Sequence, residues 1–374
     1  MSRQVLRAAC IAAVLLTAGP LPHARAEPVG VLLNRLQGLY QKAEEAAEAY
    51  NAAEVALKAR QEEERRVTAE LGRARTALGA EKATAGRLAR EQYQGARGFS
   101  PYVRMLLADD PQSALDQRRL AAREGARQAG VLARMTEGAH KADALATAAR
   151  KALDDQRALV GEMERRKDEV GGQLKEVERM LAALTPEEVS QLGAQEAKNT
   201  AGAQRALLES GRLGTARTPT AAGGEALTYA TAQLGKPYVW GAEGPGSFDC
   251  SGLTSQAWAH AGRSIPRTSQ EQWARLPKVP LDQLRPGDLV VYFPKATHVA
   301  LYIGEGKVIQ APRPGAKVKV SPIAANPLLG AVRPDADATP LETFTPPPLP
   351  EEEAGTAGDD TGYSEAEAPD TSAR

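Results

Sequence analysis

The chain has 374 residues, 25% of them charged, and a formal net charge of zero. That length allows one to three domains. Beyond the first 26 residues no segment has the run of ~20 apolar residues that a spanning helix needs, and nothing in the sequence calls for a nucleic-acid partner, a cofactor or a metal.

Residues 1–26 have the three parts of a secretion signal. Arg3 and Arg7 form a positive start, residues 8–16 an apolar run, and Ala24-Arg25-Ala26 a small-x-small cleavage site. Export is therefore expected, to the outside of a cell or its wall. Cys10 lies inside this segment, which leaves Cys250 as the one cysteine of the mature chain. Secreted proteins normally pair their cysteines, so a single one points to an intermolecular bond or a reactive thiol.

Residues 27–211 contain no tryptophan and read as extended helix rather than a globular core. Over 36–92 a heptad runs through Leu36, Ala43, Tyr50, Leu57, Leu71, Leu78 and Ala85, with a second seam at Leu39, Ala46, Ala53, Val67, Ala74 and Leu88. Gly95, Gly98 and Pro101 end it. A second repeat, from about Pro111, passes through Ala149, Leu153, Val160, Met163, Val170, Leu174, Val177, Leu181 and Leu184 and stops before Pro186. Two helices of ~100 Å with a break between them predict an antiparallel coiled-coil hairpin over 27–211. Its alanine-rich seam buries little area, so the hairpin should be adjustable. The break at 102–111 is unusually apolar for a hairpin tip, which fits either a docking point or a cap folded back on the hairpin.

Residues 212–222 read as a linker. Residues 223–334 hold all three tryptophans, with 12 Lys/Arg against 7 Asp/Glu. A basic globular part favours an anionic partner such as a wall polymer. Helices are predicted at 225–234, 251–261 and 269–276, then strands at 288–293, 298–303, 307–311, 317–320 and 329–333, with a hairpin turn at 304–306. Helices followed by antiparallel strands predict an α+β domain. Residues 335–374 carry 11 Asp/Glu and one basic residue, Arg374, and are rich in proline, so a disordered acidic tail is expected.

The chemistry centres on Phe248-Asp249-Cys250-Ser251-Gly252-Leu253. A thiol attacks as thiolate, and a helix N-terminus or a nearby imidazolium lowers its pKa. Cys250 stands where a helix should start. Of the histidines beyond the signal, His140 lies in the coiled coil and His260 lies ten residues along the same helix, ~15 Å from the thiol. His298, opening a strand, remains as the base. Gln310 on the next strand is a candidate to orient its ring across the hairpin.

Residues 223–334 resemble the NlpC/p-sixty family of papain-like cell-wall peptidases. The resemblance rests on Gln233-Leu234-Gly235-Lys236-Pro237-Tyr238-Val239-Trp240-Gly241, the Cys250 block, Pro266-Arg267-Thr268-Ser269, Leu284-Arg285-Pro286-Gly287-Asp288-Leu289, His298-Val299-Ala300-Leu301-Tyr302-Ile303-Gly304 and Ile309-Gln310-Ala311-Pro312. It implies a secreted endopeptidase that cuts peptidoglycan stem peptides, commonly between γ-D-glutamate and diaminopimelate, in wall remodelling or cell separation. Cys250 matches the nucleophile, His298 the base, and Gln310 the third position, where relatives usually carry histidine. Tyr238 matches a tyrosine lining the oxyanion or substrate site, and Asp249 and Ser251 match residues that hold the stem-peptide end. The rivals are an amidase cutting between muramic acid and L-alanine with the same dyad, and a non-catalytic scaffold that recruits another hydrolase. The N-terminal half also resembles coiled-coil regions of exported division hydrolases, which implies an ABC-transporter-like membrane complex as partner. A hydrolase of this kind needs restraint, and the hairpin lying over the Cys250 cleft would supply it.

Overall fold

The computed structural model describes residues 28–95, 101–107 and 110–349. The signal segment 1–26 and the end of the acidic tail lie outside them. Helix α1 (Val29–Gly95) runs antiparallel to α3 (Pro111–Ala182), with the short α2 (Pro101–Leu106) at the turn. Asp110 caps α3 by accepting from the Ser113 N–H at 2.8 Å, and Pro111 occupies the first helical position, where its missing N–H is no loss. The hairpin is therefore present as the heptads predict. No helix among the described residues is long and apolar enough to cross a membrane.

The predicted seam of α1 is buried at Leu36, Ala43, Ala46, Tyr50, Leu57, Val67, Leu71 and Leu88. On α3 the seam holds at Val170, Leu174 and Val177 but shifts further out. Leu153 and Val160 are 38% and 36% exposed, while Ala152 is buried. Further out, small residues let the helices approach closely, as where Leu78 lies against Gly138.

Residues 186–209 are not part of the hairpin. Thr185 and Glu188 form a capping box around Pro186, and a separate helix, α4 (Pro186–Glu209), starts there. Its end covers one face of the C-terminal sheet through Leu207. Gln204 accepts from the Ala324 N–H at 3.1 Å and donates to the Gly306 carbonyl at 2.9 Å.

The C-terminal domain is α+β. Helices α5 (Ala221–Thr231), α6 (Cys250–His260) and α7 (Ser269–Arg275) precede an antiparallel six-stranded sheet. Its strands are β1 (Lys278–Val279), β2 (Leu289–Tyr292), β3 (His298–Gly304), β4 (Lys307–Gln310), β5 (Lys319–Pro322) and β6 (Leu328–Val332), in the order β1-β6-β2-β3-β4-β5. Five strands match the predicted positions within two residues. The two-residue β1 has too little alternation to be seen in sequence. Residues 289, 291, 299, 301 and 309 face α5 and α6 with Phe248, Leu253 and Trp258, and residues 290, 292, 300, 302 and 308 face Leu207, Leu284 and Ile323. This packing of helices on one face of the sheet fixes where α6 begins.

The tail departs from expectation at its start. Asp335 is 2% exposed and pairs with Arg285 at 2.8 Å, while its other oxygen bonds Thr220, the cap of α5. Phe344 packs on the core at Gly224, where its ring leaves no room for a Cβ. The core thus extends past 334, because a buried arginine requires a buried carboxylate. Removing one partner of such a pair leaves an uncompensated charge. Asp335→Ala is expected to cost about 3–5 kcal/mol, read by the urea midpoint of tryptophan emission. An unchanged midpoint would show that this segment is not part of the core.

Candidate active site

Cys250 is the first residue of α6 and is 3% exposed. Asp249 caps the helix, its Oδ1 accepting from the Gly252 N–H at 2.6 Å. Only glycine fits at 252, since a Cβ there would lie 2.2 Å from the Ala242 carbonyl oxygen. Asp249 also takes two hydrogen bonds from Arg267, at 3.0 and 2.7 Å, and one from the Gly241 N–H at 2.8 Å. Arg267 continues to Glu243 at 2.9 Å and to the Ser251 hydroxyl at 2.8 Å. The thiol is thus held at a helix start by a buried polar network.

His298 begins β3 and is fully buried, with Nε2 2.7 Å from Gln310 Oε1. The pairing of Leu301 with Ile309 and Tyr302 with Val308 makes Gln310 the diagonal neighbour of His298, on the same face. With Gln310 as acceptor, Nε2 carries a proton and Nδ1 is the nitrogen left for chemistry. The Val299 N–H, next to His298, points at the Cys250 sulfur and favours thiolate. Tyr238 is buried in the same cluster, its hydroxyl pKa raised first by burial and then by the Cys250 and Asp249 charges. His260 lies apart, stacked on Tyr229 at 3.9 Å, as helix geometry requires.

Six of the predicted positions, Tyr238, Asp249, Cys250, Ser251, His298 and Gln310, therefore meet in one place. Asp249 spends its oxygens on the helix cap, Arg267 and Gly241, so in this structure it positions the thiol's helix.

Helix α1 lies across this site. Glu48 accepts from the Ser251 hydroxyl at 2.6 Å and from the Ser269 N–H at 2.9 Å, and its Oε1 is 3.7 Å from the Cys250 sulfur. Glu44 Oε1 is 3.1 Å from His298 Nδ1, a charge contact rather than an aligned hydrogen bond. Asn51 donates to Asp249 Oδ2 at 3.1 Å. Around this centre Tyr50 meets Trp240 edge-on at 4.8 Å, and Lys295 pairs with Glu45 at 2.6 Å. Arg313 makes a two-pronged bond to Glu196 of α4 and lies over the Tyr40 ring. Beside the covered site, a cavity of about 850 Å³ remains between α1, α4 and the sheet, reaching Gln310. Glu44, Glu48 and Asn51 escaped sequence analysis. They repeat at three- and four-residue steps along α1, but as polar residues they carry no hydropathy signal.

Burial, and then the neighbouring Asp249, push the Glu48 carboxyl up to about 7. Burial would lower His298, but the Glu44 carboxylate outweighs it and the net shift is upward. Burial, with Glu48, Asp249 and Glu44, raises the Cys250 thiol. All three groups hold protons more tightly with α1 in place. Docking is therefore firmest at low pH and loosens as pH rises from the ordinary carboxylate range through about 7. Acrylamide quenching of tryptophan emission should increase from pH 5 to pH 8 as Tyr50 leaves Trp240. Constant quenching would show that these groups do not govern docking.

A helix-capped buried thiol, packed on an antiparallel sheet that carries a histidine, is the layout of a papain-like domain. Residues 235–330 match the NlpC/P60 family model and form a domain of that family. The chain is 50% identical over 94 residues to a probable endopeptidase of Corynebacterium glutamicum, covering 25% of this chain and 45% of that one. It is 37% identical over 119 residues to a probable endopeptidase of Mycobacterium tuberculosis, covering 31% of each. Among solved structures, the non-catalytic NlpC/p60 domain protein RipD of M. tuberculosis is 34% identical, with a TM-score of 0.28, over 30% of this chain and 96% of that one. The chain thus spans less than half the length of these two curated relatives.

Proposed function

We propose that this protein is an exported cysteine endopeptidase that cuts peptidoglycan stem peptides, at the bond between γ-D-glutamate and diaminopimelate. The observation that carries this reading is the joint placement of Cys250 at a capped helix start and His298 fixed by Gln310. The matches to probable endopeptidases support it. With α1 displaced, His298 Nδ1 takes the thiol proton and the thiolate attacks the stem-peptide carbonyl. The Cys250 N–H, free at the helix start, stabilises the oxyanion, with Tyr238 at its side. His298 then protonates the leaving amine and activates water to release the acyl group. Ser251 holds the end of the stem peptide. The exposed tip residues Leu106 and Leu107 would dock an ABC-transporter-like membrane complex at sites of wall cutting.

The test is mass spectrometry of muropeptides digested by the mature chain at a pH that loosens α1. New ends at diaminopimelate support the reading. Cleavage at the lactyl–alanine bond would make it an amidase, and intact muropeptides would leave a binding scaffold. Cys250→Ala should remove turnover and leave the fold intact. His260→Ala should keep activity, whereas His298→Ala should lose about 10²–10⁴-fold. Equal losses in the two would overturn the assignment of His298 as the base. Gln310→Ala should lower kcat less than His298→Ala, and Gln310→His should stay active. An unchanged kcat in Gln310→Ala would remove its orienting role.

A further inference from the structure

A thiolate–imidazolium pair is two charges that stabilise one another. In this structure a carboxylate has entered the pair. Glu44 stands 3.1 Å from His298 Nδ1, the nitrogen left for chemistry once Gln310 occupies Nε2. One helical turn on, Glu48 stands at the thiol and at the Ser251 hydroxyl. Both side chains are buried, Glu44 at 6% and Glu48 at 2% exposed. Two carboxylates buried on a coiled coil have no structural use unless they meet partners, and their partners here are the nucleophile, the base, the Ser251 hydroxyl and the Ser269 N–H.

We propose that Glu44 and Glu48 form an intramolecular inhibitor directed at the dyad itself, with Glu44 replacing the thiolate as counter-ion of His298 and Glu48 holding Cys250 as the thiol. This rests on the reading of Cys250 and His298 as nucleophile and base, and it goes further than a helix that only blocks access. A steric cover would need bulk and apolar contact, which Tyr50 on Trp240 already supplies. The paired carboxylates add a chemical lock. With Glu44 as partner, the imidazole keeps its proton. With Glu48, Asp249 and Glu44 around it, the thiol is surrounded by negative charge and disfavours ionisation. The positive groups facing the same point are Arg267, already bound to Asp249 and Glu243, and Lys295, which pairs with Glu45 on the outside. Arg267 offsets part of the Glu48 charge, but burial and Asp249 outweigh it.

The lock is also built to open. The Asn51 amide oxygen is buried without a partner. A buried unpaired polar atom has lost its water without a replacement, so docking carries a desolvation cost of its own. Lifting α1 restores water to both carboxylates and returns the imidazolium to the thiolate.

The experiment measures alkylation of Cys250 by iodoacetamide in the full mature chain across pH 5–9. It compares wild type, the double variant Glu44→Ala plus Glu48→Ala, which removes both the carboxylates and their contacts, and Lys295→Ala, which weakens docking away from the dyad. Circular dichroism melting confirms that each variant is folded. The expected result is a rise of roughly tenfold or more at neutral pH in the double variant, with a flatter pH profile, since the Glu48 proton no longer couples to docking. Lys295→Ala should raise the rate while keeping the wild-type profile. Equal rates and profiles in wild type and the double variant would overturn the proposal. So would a rise in the double variant whose profile matches that of Lys295→Ala, because α1 would then be a cover alone. Alkylation reads the thiol directly. A faster thiol without muropeptide cleavage would therefore sustain the inhibitor and reject the endopeptidase reading.

Discussion

The bond between Asp249 and Arg267 holds the site in place. A carboxylate that caps a helix at one oxygen and grips a guanidinium with both cannot move without unsatisfying several donors. The pair is buried on both sides, at 2% and 9% side-chain exposure. Breaking one partner of such a pair is far costlier than the pair's own net contribution. Through Arg267 the network reaches Glu243 and Ser251, and through Asp249 it reaches Gly241, beside Trp240. The loop 237–248, the start of α6 and the segment 266–269 are thereby tied together. Everything that touches the thiol, the helix α1 included, is built on that frame.

The hairpin is attached at two places of unlike character. Helix α4 contributes Leu207 to the sheet's second face and hydrogen-bonds the turn after β3, which is core packing of the domain. Helix α1 meets the cleft through carboxylates, an amide, one aromatic edge and a surface ion pair. Apolar burial is worth about 25 cal/mol per Å², whereas a buried carboxylate gives back in desolvation much of what its contacts gain, and the exposed Lys295–Glu45 pair contributes about 0–1 kcal/mol. The α4 attachment is therefore the durable one and the α1 attachment the releasable one. The domain can let go of α1 while still holding the hairpin.

Cys250 and His298 were legible because their positions follow from local rules. A helix start and a strand start are set by neighbours in sequence, and the tight turn at 304–306 fixes Gln310 to within a diagonal step. Glu44 and Glu48 were not legible. Heptad spacing assigns α1 one buried stripe, and carboxylates beside an alanine seam read as its solvent face. The segment 32–51 in fact buries two faces, one on α3 and α4 and one on the C-terminal domain. The second surface lies some two hundred residues away in the chain. Asp335 and Phe344 were hidden for a related reason. Acidic and proline-rich composition describes the average of a segment, while one carboxylate and one ring suffice to dock its first ten residues on Arg285 and Gly224. Helix α4 was hidden by Pro186, which ends α3 yet also opens the next helix within a capping box.

The geometry of α1 gives the releasable contact a lever. Glu48 and the hairpin turn are separated by some 47 residues of unbroken helix, ~70 Å at 1.5 Å per residue. Beyond residue 57 the seam buries isolated side chains, Val67, Leu71 and Leu88 on α1 and Val131, Ala142 and Ala152 on α3. Such a seam resists sliding and bending weakly, because few side chains must unpack for the helices to shift. A displacement at the turn can then travel along α1 to the cleft. The heavier apolar packing around Leu33, Leu36 and Leu192 keeps the base of the hairpin fixed on α4. Between a fixed base and a loose arm, the stretch of α1 that carries Glu44 and Glu48 is where motion of the arm must be taken up. The inhibitory contact therefore lies at the fulcrum, where a small rotation of α1 removes both carboxylates from the dyad at once.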